Sequence, residues 1–280
     1  MGAISGVTAK RHTVDQGYGR TSRQYQTPDG ERYDSVTSIL SVVGKPALIN
    51  WAANTERALV IEAASNLWED IPINGKKMSR TAYVATLTER IGKQKAHQKE
   101  LAKAADIGSQ VHALIEWNLR RELGQIVGPE PTVQDKAAWA FMSYEDWRKA
   151  TKLVPVAIEQ VVWSTQHRYA GTMDLFADVL IEPYGSCHVV LDWKTGKGIY
   201  PEALLQNAAY VQALIEMGHA TTLVHGAVVR LPKVETDPEF EVRIITPEEQ
   251  VELFNVFVNV KALWDWSQAI EAARKVAAKA

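Results

Sequence analysis

The run Val189-Val190-Leu191-Asp192-Trp193-Lys194-Thr195-Gly196-Lys197 constrains this chain more than any other stretch. Its β-branched, apolar start favours a buried strand, and the Thr-Gly-Lys-Gly beginning at Thr195 ends that strand in a turn. Side chains alternate across a strand, so Asp192 and Lys194 share one face while Trp193 points to the other. A fold that accepts this stretch must hold a carboxylate and an ammonium together at the open end of an interior strand. An isolated Asp-x-Lys at a strand end is commonly a weak surface ion pair, so the surrounding chain decides its meaning.

Before that strand the apolar period is mostly helical. Residues 1–30 are polar and without period, carry Lys10, Arg11, Arg20 and Arg23, and read as a flexible, extended arm. Asp34 or Ser35 caps a short helix that Gly44-Lys45-Pro46 closes, and a longer helix runs from Pro46 through Trp51 to Trp68. After a turn from Pro72 to Gly75, Ser79 opens a further helical stretch with Gly92 as its weak point. Residues 107–119 place His112 and Glu116 four apart on one helix face, and Gly108 permits close approach to whatever that helix crosses. Another amphipathic helix covers 133–150.

From Val154 the period becomes two. Strands at 155–163 and 172–181 join the opening run through short turns, which makes an antiparallel meander. A helix over 201–217 then returns the chain to a strand at 222–231, the usual route to a parallel neighbour. A last strand at 240–245 and a helix from Pro247 complete the order. Helices first, then βββαββα, is an α+β fold with a mixed sheet.

With 280 residues, 46% of them apolar, the chain can bury a large core. No apolar run approaches bilayer-spanning length and no stretch reads as a secretory signal, so the expectation is a cytoplasmic protein without a membrane partner. A single cysteine, Cys187, excludes an internal disulfide framework, a Cys-rich zinc site and a four-cysteine iron–sulfur cluster. The net charge of −2 hides an asymmetry. Lys76, Lys77, Arg80, Arg90, Lys93, Lys95, Lys99 and Lys103 stand against only Glu89 and Glu100 in their stretch. Such a stripe suits a polyanion, nucleic acid above all, although a solvated helix face has the same composition.

Hairpin pairing of the second and third strands makes Asp174 and Asp192 neighbours. Two carboxylates held together without a cation repel, which favours a raised pKa or a bound metal. Carboxylate oxygens suit Mg2+ or Mn2+, and an imidazole from His112 tilts the preference toward Mn2+. With Lys194 available to orient water or stabilise developing charge, the set suits phosphodiester hydrolysis. A basic helical part packed over such a site would form a channel for a strand threaded from its end, with Trp51, Tyr33 or Tyr83 as stacking faces.

Gly108-x-x-x-His112, Gly171-x-x-Asp174, Asp192-x-Lys194-Thr195 and Gln206-x-x-x-Tyr210, in that order, resemble the RecB-type branch of the PD-(D/E)XK nuclease superfamily. The stretches Ser35-Val36-Thr37-Ser38-Ile39-Leu40 and Lys45-Pro46-Ala47-Leu48 are similar to phage exonucleases and the mitochondrial genome maintenance exonuclease. The likeness spans residues 30 to 265. It implies a restriction-endonuclease-like core at 108–246, a mixed sheet flanked by helices, with a helical N-terminal part at 31–107 and a C-terminal helix at 247–280 packed on the core. It further implies His112, Asp174 and Asp192 as metal ligands together with the Trp193 carbonyl, and Lys194 as the catalytic lysine. Gln206 and Tyr210, with Ser35 and Thr37, become substrate-binding residues, and Glu159 a candidate second-metal ligand. The expected function is a Mg2+- or Mn2+-dependent DNA exonuclease acting on single-stranded or resected DNA in phage or bacterial recombination, repair or replication. A separate single-strand-binding or annealing protein is the natural partner. The alternatives are a non-catalytic DNA-binding or assembly module of the same fold, and a site-specific endonuclease, for which no recognition region stands out.

Overall fold

In the computed structural model, residues 10–17, 20–69, 79–237 and 239–278 are described. Lys76, Lys77 and the turn from Pro72 to Gly75 lie outside them. The chain divides into two compact units, one of Met1–Val43 with Ile107–Ala280 and one of Gly44–Asp106. Strands β1 (Lys10–Gly17), β2 (Arg20–Gln26) and β3 (Arg32–Ser35) come first, followed by the short helix α1 (Val36–Ile39). Helices α2 (Pro46–Glu69) and α3 (Arg80–Ile91) make up most of the smaller unit, and α4 (Ala96–Glu122) contributes residues to both units. Next come α5 (Asp135–Ala150), β4 (Val154–Ser164), β5 (Tyr169–Ile181) and β6 (Gly185–Lys194). The chain ends with α6 (Pro201–Glu216), β7 (His225–Arg230), β8 (Glu241–Ile245) and α7 (Pro247–Ala277).

The larger unit is α+β, built on one mixed eight-stranded sheet in which β4 branches from the path β1-β2-β3-β5-β6-β7-β8. The meander β4-β5-β6 is antiparallel, β7 lies parallel to β6 and β8 runs antiparallel to β7. Alternation along β6 explains why helices cover both faces. Val189, Leu191 and Trp193 pack with Val111 and Ile115 of α4 and Tyr144 of α5. Val190 belongs instead to a second core with Leu205 and Ala209 of α6 and Phe257 and Trp264 of α7. Each such large apolar side chain contributes roughly 1.5–3 kcal/mol when fully buried.

Strand β5 has two edges, and β4 occupies one of them from Tyr169 to Asp178. The other edge is divided: β3 pairs there in parallel at Tyr169 and Ala170, whereas β6 pairs only from Leu175 onward. Residues 171–174 therefore lie in a fork between two pairings, where β6 has left β5 but still follows β7 through Lys194. Asp174 sits in that fork.

Residues 1–9 of the expected arm lie outside the described residues, but its described part is largely paired strand. Lys10–Gly17 and Arg20–Gln26 form an antiparallel hairpin, and β2 pairs on to β3. What anchors it is Asp34, which accepts from Gln24 Nε2 at 2.9 Å and from Trp264 Nε1 at 2.8 Å, while Tyr25 and Tyr33 pack with Ala170. These residues belong with the sheet, so the boundary expected at 31–107 shifts to Gly44–Asp106. Tyr33, only 4% exposed and covered by the Arg168 guanidinium, has no free face for a base. The expected helix break falls at Gly92, whose φ of 71° ends α3. The helix expected at 107–119 is the second half of the longer α4.

Gly226 in β7 shows how tightly α6 and α7 are bound to the sheet. Asn207, fully buried, donates to the Val190 carbonyl at 2.9 Å and accepts from Gln250 Nε2 at 2.9 Å. A Cβ on Gly226 would collide with both Asn207 Oδ1 and Gln250 Nε2. Both amides are buried and hydrogen-bonded, so moving them aside breaks those bonds, and Gly226→Ala is expected to lower stability by about 3 kcal/mol. Urea unfolding should show the loss as a lower midpoint at unchanged slope.

Candidate active site

The fork in the sheet brings three ligand-bearing side chains together. His112 on α4, Glu159 on β4 and Asp174 on β5 each offer one atom, and these atoms all lie within 4.8 Å of one another. His112 reaches the fork because Gly108, one turn earlier, lets α4 approach the loop after β6: a Cβ there would stand 3.2 Å from Thr195 Oγ1. Its Nε2 lies 3.1 Å from the Trp193 carbonyl oxygen and its Nδ1 3.3 Å from Asp174 Oδ1. Asp174 Oδ2 accepts the Trp193 amide at 2.8 Å, so a side chain takes the hydrogen bond that β5 backbone supplies further along the strand.

Glu159 stands opposite Asp174, since Ile158 pairs with Leu175 and Gln160 with Met173 on either side. Its φ of 48° is in the left-handed region, which a residue bearing a Cβ enters at a cost of about 1–2 kcal/mol. Non-glycine residues held there inside a strand concentrate at functional sites.

Asp192 and Lys194 occupy the face of β6 toward α6. Asp192 is 1% exposed and forms an ion pair with Lys194 Nζ at 2.5 Å. Gln206 orients both: its Oε1 accepts from Lys194 at 3.2 Å and its Nε2 donates to Asp192 Oδ1 at 3.2 Å and to the Tyr210 hydroxyl at 3.0 Å. Tyr210, one turn along α6, lies against Gly171, where a Cβ would collide with its ring. The glycine of Gly171-x-x-Asp174 thus makes room for the tyrosine that completes the hydrogen-bonded chain.

Of the residues singled out in the sequence, His112, Glu159 and Asp174 meet as one ligand group, with the Trp193 carbonyl beside it. Asp192, Lys194, Gln206 and Tyr210 form the adjoining network. Ser35 and Thr37 join neither. Ser35, 2% exposed, spends its hydroxyl capping α1 at the Ser38 amide, and Thr37 Oγ1 lies 3.1 Å from that same oxygen. The remaining described cations of the basic stripe, Arg80, Arg90, Lys93, Lys95, Lys99 and Lys103, are exposed in the Gly44–Asp106 unit, where Trp51 meets His97 edge to face at 6.4 Å.

Charge in the cluster is unevenly balanced. Burial opposes the imidazolium of His112, but Asp174 and then Asp192 outweigh it and raise the group to about 9. Burial lifts Glu159 to about 7, with Asp174 adding to the effect, and lifts Asp192 to about 6 against the pull of Lys194. Burial would raise Asp174 too, yet His112 and Lys194 hold its carboxyl below the usual range. Each raised group stabilises the fold fully below its unfolded pKa, and that contribution is lost as pH rises through the folded value. For His112 the window is 6.5 to about 9, for Glu159 4.5 to about 7 and for Asp192 3.8 to about 6. Asp174 acts in the opposite sense only below 3.8. In EDTA the melting temperature is therefore expected to fall between pH 6 and pH 9, read by circular dichroism, and Mn2+ should reverse the trend by replacing the lost proton charge. A melting temperature that rises over that range in EDTA would contradict this balance.

Comparison with protein-family models finds no match, and comparison with curated proteins likewise finds none. Among the described residues no helix is long and apolar enough to cross a membrane.

Proposed function

We propose that this chain is a metal-dependent DNA exonuclease with a restriction-endonuclease-like core of the RecB type. The observation that carries the proposal is one fork in the sheet that gathers a His-Glu-Asp ligand group and, beside it, a buried Asp192 paired with a half-buried Lys194 that Gln206 aims. The donor set fits a hard divalent cation with a preference for Mn2+: two carboxylates, one imidazole and an adjacent carbonyl. His112, Glu159 and Asp174 would hold the ion, with Asp192 and the Trp193 carbonyl near enough to adjoin them. When bound, Mg2+ or Mn2+ supplies Lewis-acid polarisation of a phosphoryl oxygen and acidifies a coordinated water.

The protein's own groups do the rest. Lys194, fixed between Asp192 and Gln206, holds the attacking water and stabilises charge as it builds on the phosphoryl oxygens. Gln206 fixes the ammonium's direction, and Tyr210 fixes Gln206. Burial of Asp192 strengthens its attraction for the Lys194 ammonium relative to water. The exposed cations of the Gly44–Asp106 unit suit a DNA backbone.

Incubation of the protein with end-labelled linear single-stranded and duplex DNA, and with circular single strands, tests the proposal. Nucleotides should be released from linear DNA in Mn2+ or Mg2+, not in EDTA, and circles should survive. Circles cut as readily as linear strands would make the enzyme an endonuclease. Binding without hydrolysis in either metal would make it a DNA-binding module.

A further inference from the structure

Arg120, two turns beyond His112 on α4, has no place in the scheme above, yet its guanidinium is aimed at the bend that presents Glu159. Nη2 donates to the carbonyl oxygen of Ile158, the residue before Glu159, at 3.3 Å. Nε donates to Glu116 Oε1 at 2.7 Å and Nη1 to Gln125 Oε1 at 3.0 Å. Gln125 is itself fixed, because its amide returns to the Arg120 carbonyl at 3.0 Å in the turn made by Gly124, whose φ is 69°. The guanidinium is thus held by α4 on one side and by the loop that follows α4 on another, and its third side grips the backbone of β4. A left-handed residue bearing a Cβ reverts to ordinary strand geometry unless its neighbours over-determine it. Reversion at Glu159 would turn its carboxylate away from His112 and Asp174.

We propose that Arg120 is a positioning residue that, through the Ile158 carbonyl, locks the Glu159 backbone in the conformation that delivers its carboxylate to the cation. This rests on the reading that the His112–Glu159–Asp174 group binds a divalent ion. Arg120 is not a member of the His112–Glu159–Asp174 group, and its effect passes through Glu159.

Mn2+ binding to the full chain, followed by electron paramagnetic resonance or calorimetry without DNA, separates the possibilities. Glu159→Gln and Arg120→Met should each weaken Mn2+ by roughly 10- to 100-fold. The double variant should be no weaker than Glu159→Gln alone, because a residue acting through Glu159 has nothing left to position. Arg120→Lys should recover part of the loss, since one ammonium can reach Glu116 or the carbonyl but cannot reproduce the planar fork. Additive losses in the double variant, or wild-type affinity in Arg120→Met beside a weakened Glu159→Gln, would overturn the proposal while leaving the metal site standing. Absence of Mn2+ binding by the wild type would overturn both. If Arg120→Met does not fold, as judged by its near-ultraviolet circular dichroism, Arg120→Lys decides: weakened binding supports positioning and wild-type binding refutes it.

Discussion

Lys194→Met should reduce nucleotide release by about 100- to 1,000-fold at saturating Mn2+, with DNA affinity nearly unchanged. The methionine keeps the stem that fills the space beside α6 and removes only the ammonium. Lys194 Nζ is the cation nearest both Asp192 and Gln206, at 2.5 and 3.2 Å, so no neighbouring charge takes over its position. Lys194→Arg should fail nearly as badly, because a planar guanidinium cannot present a point charge in the same place. Single-turnover measurements are needed, since product release otherwise masks the chemical step. Asp192, 1% exposed, loses its counter-ion in the methionine variant and takes up a proton more readily, so a modest fall in melting temperature accompanies the loss. Activity within tenfold of wild type would reduce Lys194 to a structural partner of Asp192.

The second large effect is expected at Asp174, where two substitutions separate charge from hydrogen bonding. Asp174→Asn keeps an oxygen to accept the Trp193 amide, which the native carboxylate does at 2.8 Å, but removes the negative charge facing His112 at 3.3 Å. Mn2+ affinity should fall by roughly 100-fold or more and nuclease activity with it. The His112 proton, held to about 9 chiefly by Asp174 against burial, should be released at lower pH, visible in its ring resonances. Asp174→Ala should lose the same activity and a further 1–3 kcal/mol or so of stability, because the Trp193 amide then loses its acceptor. Equal stability of the two variants in urea would show that this hydrogen bond is replaced, by water or by movement of β6. Undiminished Mn2+ affinity in Asp174→Asn would remove Asp174 from the ligand set.

The meander and the parallel return were legible because their apolar residues alternate or run together between clear turns: β4, β5, β6 and β7 stand within a few residues of their expected places. The hairpin of β1 and β2 was not, because Lys10–Gly17 and Arg20–Gln26 carry little apolar alternation. Their attachment depends on Asp34 and on partners far along the chain, which no local period records. At the site, the four-residue spacing of Gln206 and Tyr210 was readable as one helix face. The sequence suggested that hairpin pairing would make Asp174 and Asp192 neighbours, but that pairing stops at Leu175 and Leu191, and the separation of β6 from β5 assigns Asp192 to Lys194 and leaves Asp174 with His112. Glu159 could have been paired with Asp174 by counting across the turn. Its left-handed backbone could not, since nothing at that position is a glycine or asparagine. Ser35 looks like a polar site residue and is a helix cap, a role that the same short hydroxyl serves equally well.

Asp34 has a further consequence, for the order in which the molecule can assemble. The strand that carries it must wait for Tyr169 and Ala170 to pair with, and its carboxylate waits for Trp264, 230 residues later. During synthesis the N-terminal strands therefore emerge long before anything exists to hold them, and contacts so distant in sequence form slowly. The edge β3 occupies borders the fork, so a pairing between residues far apart in the chain helps to frame the candidate active site. Until β3 docks, the His112–Glu159–Asp174 group lacks one border of the fork in which it stands.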